Sequence, residues 1–136
     1  MILTITNALT DQTWTISGGL FHFDFVTSFV GEQVLSDDEC IDIIIETQTT
    51  WTSFMLSERF NINGPNIINH ELDRVSAFMV LNAVRALMLA GEYPNGATVC
   101  SIPDVENEGE EVEYVVAIAI NRERLHEEIR KLSTSR

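Results

Sequence analysis

Lysine is almost absent from this chain of 136 residues. Lys131 is the only one, and the first 58 residues contain neither lysine nor arginine. The 8 basic residues stand against 21 acidic ones, which gives a formal net charge of -13. Nucleic acids and anionic membranes are bound through clusters of Lys and Arg that neutralise phosphates. The composition therefore excludes direct binding of nucleic acid or of an anionic membrane.

Cysteine is scarce as well, and the two thiols, Cys40 and Cys100, lie far apart and outside any CxxC motif. A disulfide-stabilised scaffold needs more cysteines, so we expect two reduced thiols. The first residues show no basic segment followed by a long apolar run, so we expect no signal peptide and a cytoplasmic location. No apolar stretch is long enough and free enough of polar residues to span a membrane.

Catalytic and metal-binding motifs are missing too. The histidines His22, His70 and His126 are widely spaced, and none has a second ligand at a zinc-binding spacing, so we expect no metal and no cofactor. His22 and Asp24 alternate along one predicted strand, where two solvent-facing polar residues are favoured over an acid–base pair. Gly18-Gly19 lacks the following basic helix of a phosphate-binding loop. We therefore expect a protein that is not an enzyme.

The residues that are present fit a single globular domain over 1–136, with 45% hydrophobic content. Residues 70–91 predict its central helix, with Asn69 as N-cap and Gly91 as the stop. On a helical wheel of 100° per residue, an apolar arc that includes Met79 and Leu87 covers about 240°. A helix this apolar is expected to pack on more than one side. Its polar stripe contains Arg74, Asn82, Arg85 and Glu92.

Before this helix, alternating residues predict strands over 1–6, 12–17 and 20–30, joined as an antiparallel meander. The capping-box pattern Ser36-Asp-Asp-Glu39 predicts a helix over 37–47. The many β-branched residues keep a strand open as the alternative for 41–56. Asn-Gly and Gly-Pro pairs predict a loop over 62–69.

After the helix, residues 97–102 and 112–120 predict a β-hairpin with an acidic loop, and Asn121 caps a final amphipathic helix. The second hairpin strand is apolar on both faces, so it should lie inside the sheet and be covered by helix. The predicted fold is α+β: an antiparallel meander plus a C-terminal β-hairpin, packed around the central apolar helix at about 70–91.

Acidic residues gather in two clusters. Repulsion among so many negative charges lowers the stability of the fold, so we expect the negative surface to serve a function. The second cluster lacks the residue order of a calcium-binding loop, and a merely solvated hairpin tip is its other interpretation. The first acidic cluster comprises Asp37, Asp38, Glu39, Asp42 and Glu46. The second acidic cluster comprises Asp104, Glu106, Glu108, Glu110, Glu111 and Glu113.

The leading functional hypothesis is an inhibitor or immunity-type protein whose two clusters form a negative face for a basic protein partner. Their carboxylates would occupy the nucleic-acid-binding surface of a toxin, nuclease or defence complex. If the clusters act only through charge, neutralising Asp37, Asp38, Glu39 and Asp42 together should weaken binding and leave stability unchanged or raised.

Two other hypotheses remain. The order helix, strand, strand, helix over 70–132 resembles that of acidic secretion chaperones, although three strands open this chain where those proteins begin with a helix. The resemblance implies a homodimer that holds a secreted effector. A small ligand-binding domain or enzyme, with pocket residues scattered along the sequence, is the third hypothesis.

Overall fold

Six strands and three helices make up the part of the chain that the computed structural model describes, namely residues 2–16, 35–47, 50–55, 68–93 and 95–134. In chain order they are β1 (Ile2–Asn7), β2 (Gln12–Ile16), α1 (Asp37–Thr47), β3 (Thr50–Met55), β4 (Ile68–Glu71), α2 (Arg74–Leu89), β5 (Gly96–Pro103), β6 (Glu111–Ala119) and α3 (Arg122–Thr134).

The strands form one sheet in the spatial order β4-β3-β2-β1-β6-β5, and all neighbours are antiparallel. The α+β class, the meander and the C-terminal hairpin are thereby confirmed. The strand predicted for 20–30 lies outside the described residues. Within those that are described, β2 pairs with β1 and with β3. β6 lies between β1 and β5, as its apolar character on both faces predicted.

The first helix begins as its capping box predicts. The Ser36 backbone N–H donates to Glu39 Oε1, the Glu39 N–H donates to Ser36 Oγ, and both distances are 3.2 Å. The helix ends at Thr47 and β3 begins at Thr50, so the described residues of 41–56 contain both of the predicted alternatives, a helix and then a strand. The β-branched residues favour a strand only where a neighbour is available for pairing, and β2 provides that neighbour.

The second helix starts later than predicted. Asp73, rather than Asn69, is its N-cap, and Asp73 Oδ1 accepts a hydrogen bond of 2.8 Å from the Ser76 backbone N–H. Residues 68–71, predicted as the end of a loop and the start of the helix, form β4 and pair with β3. The ladder to β3 provides backbone hydrogen bonds that a longer helix would have forfeited.

Gly91 ends this helix, as the sequence predicts. Its φ of 73° is left-handed, its N–H donates to the Met88 carbonyl at 3.1 Å, and the Glu92 N–H donates to the Leu87 carbonyl at 2.9 Å. These two bonds form a Schellman motif and satisfy carbonyls that the helix end leaves free.

The helices cover both faces of the sheet. On one face, α1 and α2 pack over residues of β1, β2, β5 and β6, and the core there includes Leu3, Ile5, Ile44, Val116 and Ile118. On the other face, Leu125 and Ile129 of α3 pack against Ala97, Ala117 and Ala119. The predicted cap of α3 is present, since Asn121 Oδ1 accepts a hydrogen bond of 2.8 Å from the Arg124 N–H.

The buried arc of α2 is narrower than the sequence predicts. Its buried residues, Ala77, Val80, Leu81, Ala83, Val84 and Leu87, span about 160° at 100° per residue. Met79, which belongs to the predicted apolar arc, is only half-buried, and Val75 is 48% exposed. The narrower arc fits a helix that packs against α1 on one side and β5 and β6 beneath.

Replacing Asp73 with Ala should lower the free energy of unfolding by about 1 kcal/mol, because Ala removes the cap, whereas Asn keeps an acceptor and should cost less. The hydrogen bond from the Ser76 N–H lowers the pKa of Asp73. The charged Asp73 carboxylate therefore stabilises the fold at pH values above its pKa in the unfolded chain. This contribution to the free energy of unfolding is lost as the pH falls through the pKa of Asp73 in the folded chain. Urea denaturation from about pH 7 down to about pH 3 should show the wild type converging on Asp73→Asn. If the difference in free energy of unfolding between the wild type and Asp73→Asn does not change with pH, Asp73 is not a charged N-cap.

Candidate functional site

The first acidic cluster lies along α1, and part of it is neutralised by α2. Arg74 bridges two carboxylates one helical turn apart, with Nη1 2.6 Å from Asp42 Oδ1 and Nη2 3.0 Å from Asp38 Oδ1. All three side chains are more than half exposed. These pairs link α1 to α2, and exposed pairs of this kind contribute about 0.2–1 kcal/mol each to stability.

A second bridge joins the start of α1 to the later turns of α2. Arg85 Nη2 lies 2.6 Å from Asp37 Oδ1, and this hydrogen bond lowers the pKa of Asp37. Glu39 is engaged in the capping box. Four of the five carboxylates in the first cluster therefore have structural contacts. Neutralising Asp37, Asp38, Glu39 and Asp42 would remove these contacts, so unchanged or raised stability is no longer the expected result.

The second acidic cluster is carried by the β5–β6 hairpin, whose loop is held by hydrogen bonds. Asp104 Oδ1 accepts from the Glu106 N–H at 2.9 Å, and Oδ2 accepts from Asn107 Nδ2 at 3.0 Å. The backbone N–H groups of Asp104 and Glu110 donate to the carbonyls of Glu110 and Asn107 at 2.9 and 3.0 Å. Gly109 has a φ of 87°, which closes the turn. The loop thus presents its carboxylates from an ordered backbone.

The second cluster differs from the first in its partners. Within the described residues, none of its six carboxylates forms an ion pair with a basic side chain. Five of the six residues are exposed, and Asp104 is partly buried. Hydrogen bonds from the Asn107 side chain and from the Glu106 N–H lower the pKa of Asp104, so its carboxylate is charged at neutral pH. The hairpin is therefore a concentrated, uncompensated negative region.

The two clusters flank α2 on different sides. Arg74 and Arg85, which hold α1, lie about 20° apart on the helix, whereas Met79, which contacts the hairpin side, lies about 140° from Arg74. The contacts of the first cluster and those of the hairpin thus lie on different sides of α2. Only the region on the hairpin lacks arginine among the described residues.

Apolar side chains surround the hairpin cluster, and the sequence did not predict them there. Val105 in the loop is 56% exposed, and Leu9, in the turn between β1 and β2, is 92% exposed. Leu9 lines a depression of about 470 Å³ together with Glu111 and Glu113. A second depression of about 460 Å³ lies on the loop itself, between Pro103 and Glu111. The only hint in the sequence is a lone valine inside an acidic segment.

The two described thiols and the imidazole of His126 are uncharged at neutral pH. Burial raises the pKa of the Cys40 thiol, and it raises the pKa of Cys100 to about 11, so both free thiols are protonated at neutral pH. Burial, then the charges of Arg130 and Arg122, lower the pKa of His126, which is neutral at the same pH. His22, Asp24 and Gly18-Gly19 lie outside the described residues.

Comparison of the chain with protein-family models, curated proteins and solved structures finds no match. Among the described residues, no group of three His, Cys, Asp or Glu side chains is arranged to hold a metal ion. None of the helices described here has the length and apolar character needed to cross a membrane. The function is therefore inferred from the geometry and charge of the chain itself.

Proposed function

We propose that the chain is a non-enzymatic inhibitor of the immunity type. In this proposal the second acidic cluster covers the basic surface with which a toxin, nuclease or defence complex binds nucleic acid. The observation that supports it is the hairpin: six carboxylates on an ordered loop and the strand that follows it, with no basic partner among the described residues. Arginine pairs with carboxylates in the same forked geometry that it uses for phosphates, so such a surface competes with nucleic acid.

The order of the loop matters for affinity. The hydrogen bonds of Asp104 with Glu106 and Asn107 fix the loop before a partner arrives. A preorganised surface loses less conformational entropy on binding than a mobile acidic segment does. The hairpin is therefore a better candidate for direct contact than a flexible acidic tail of equal charge.

The first cluster has a secondary role in this proposal. Arg74 and Arg85 already occupy three of its carboxylates, so a partner would have to displace those pairs to contact them. Its charges still add to the field of a chain with a net charge of -13, which steers a basic partner over a distance.

Free thiols suit a reducing compartment, so we propose that this activity takes place in the cytoplasm.

Capture of partners from extract of the native host tests the proposal. The tagged wild type is compared with a hairpin variant, Glu106→Gln, Glu108→Gln and Glu110→Gln, and with a control of equal charge change, Glu46→Gln, Glu123→Gln and Glu127→Gln. We expect a basic nucleic-acid-binding protein that is retained by the wild type and the control, is lost from the hairpin variant and elutes at high salt.

The opposite pattern would contradict the proposal. If the partner is retained equally at low and high salt, and equally by the wild type and the hairpin variant, the carboxylates are only a solvated surface. A salt-insensitive apolar client bound by a dimer of the chain would support the secretion-chaperone hypothesis instead.

A further inference from the structure

A small cleft lies between the first turns of α2 and the base of the acidic hairpin. Its volume is about 220 Å³, and its walls include Phe78, Met79, Ile102, Val112 and Tyr114. An apolar cavity of about 150 Å³ is large enough to bind benzene in another protein. The cleft is therefore large enough for one aromatic or branched aliphatic side chain, but small for a cofactor.

Exposed apolar groups mark the mouth of this cleft. Val75 and Val105 both line it and are 48% and 56% exposed, respectively. With Leu9 beside the same hairpin, they are three of the five large hydrophobic side chains that are exposed among the described residues. Protein interfaces combine an apolar centre with a polar rim, and grouped exposed hydrophobics often mark them.

The negative charge around the cleft favours a ligand that carries positive charge. Asp104 lines the cleft, and the carboxylates of Glu108, Glu110 and Glu111 line the adjoining depression on the loop. Burial raises the pKa of Tyr114 in the cleft wall, and the charge of Asp104 raises it further, so the negative field extends into the cleft. An anionic ligand is repelled here, whereas an apolar group flanked by positive charges is complementary.

We propose that this cleft holds one large apolar side chain from a basic segment of a protein partner, while the surrounding carboxylates pair with the Lys and Arg side chains of that segment. This inference rests on the proposed function and names the anchor of that interaction. A desolvated apolar anchor supplies most of the affinity in many interfaces, and the charged rim mainly raises the association rate.

Two five-residue peptides of equal charge test the inference, Arg-Arg-Trp-Arg-Arg and Arg-Arg-Ser-Arg-Arg, titrated calorimetrically into the full chain. Val75→Trp places a bulky side chain at the mouth of the cleft. Leu89→Trp, at the 85% exposed position near the other end of α2, is the matched control. Urea denaturation of both variants checks that the fold is intact.

We expect the wild type and Leu89→Trp to bind the tryptophan peptide about tenfold more tightly than the serine peptide, because only the indole is buried. Val75→Trp should bind both peptides equally and weakly. Equal affinities for the wild type, or a preference that survives Val75→Trp, would overturn the inference.

The hairpin variant separates this inference from the proposed function. Replacing Glu106, Glu108 and Glu110 with Gln should lower the affinity for both peptides by a similar factor, since both peptides carry the same four arginines. Undiminished binding of both peptides to this variant would contradict the proposed function. If the wild type binds both peptides with equal affinity, only the role of the cleft is contradicted. If the wild type binds neither peptide, both the role of the cleft and the proposed function are contradicted.

Discussion

Replacing Leu87 with Ala is expected to lower the free energy of unfolding by about 2–5 kcal/mol. Leu87 is fully buried in α2 and belongs to the core that α1 and α2 form with the sheet. Truncating it removes apolar contacts and leaves a cavity, because densely packed neighbours relax only in part. The loss is measured by urea denaturation at neutral pH, followed by circular dichroism.

Leu89→Ala is the matched control for this prediction, because Leu89 has the same side chain on the same helix and is 85% exposed. Its free energy of unfolding should stay within about 0.5 kcal/mol of the wild type. A loss below about 1 kcal/mol for Leu87→Ala would mean that α2 is peripheral to the core. The central position of this helix would then have to be abandoned.

Neutralising the hairpin is expected to have the largest effect on association. The hairpin variant, with Glu106, Glu108 and Glu110 changed to Gln, should lower the association rate constant with the captured partner by about tenfold or more at low salt. The dissociation rate should change less, because most of these carboxylates lie at an exposed rim. The rate is measured by stopped-flow or surface-based kinetics at low and high ionic strength.

At high salt the rate for the wild type should fall towards that of the variant, since screening removes the same steering field. Glu46, Glu123 and Glu127, replaced together with Gln, again provide the control, and they should reduce the rate only modestly. An association rate that is equal for wild type and hairpin variant at low salt would show that the hairpin does not steer the partner electrostatically.

Local chemistry explains which parts of the fold the sequence predicts. The capping box at Ser36 and Glu39, the Gly91 stop and the Asn121 cap each depend on residues within one turn. Short-range hydrogen bonding of this kind is encoded in a few adjacent residues. These boundaries were therefore predicted to within a residue or two.

Non-local pairing explains what the sequence missed. Residues 68–71 follow turn-forming pairs and precede a helix, yet they form β4 because β3 lies beside them in the folded chain. No local pattern reveals that neighbour, and strand propensity depends strongly on context. The apparent N-cap at Asn69 was accordingly displaced to Asp73.

The candidate site shows the same division. Both acidic clusters are contiguous enough to be recognised in the sequence, but their different environments depend on packing. Arg74 and Arg85 are eleven positions apart and so share one side of α2, which was a signal for pairing with α1. The cleft beside Val75 and Val105 joins segments distant in sequence, so no pattern of neighbours predicted it.

A competition assay with nucleic acid determines whether the hairpin covers the nucleic-acid-binding surface of the partner. A labelled oligonucleotide is bound to the captured partner, and its fluorescence anisotropy is followed as the chain is added. We expect the wild type to release the oligonucleotide at about one chain per partner, and the hairpin variant to require about tenfold more. An oligonucleotide that stays bound while the chain also binds the same partner would contradict the claim that the hairpin covers the nucleic-acid-binding surface.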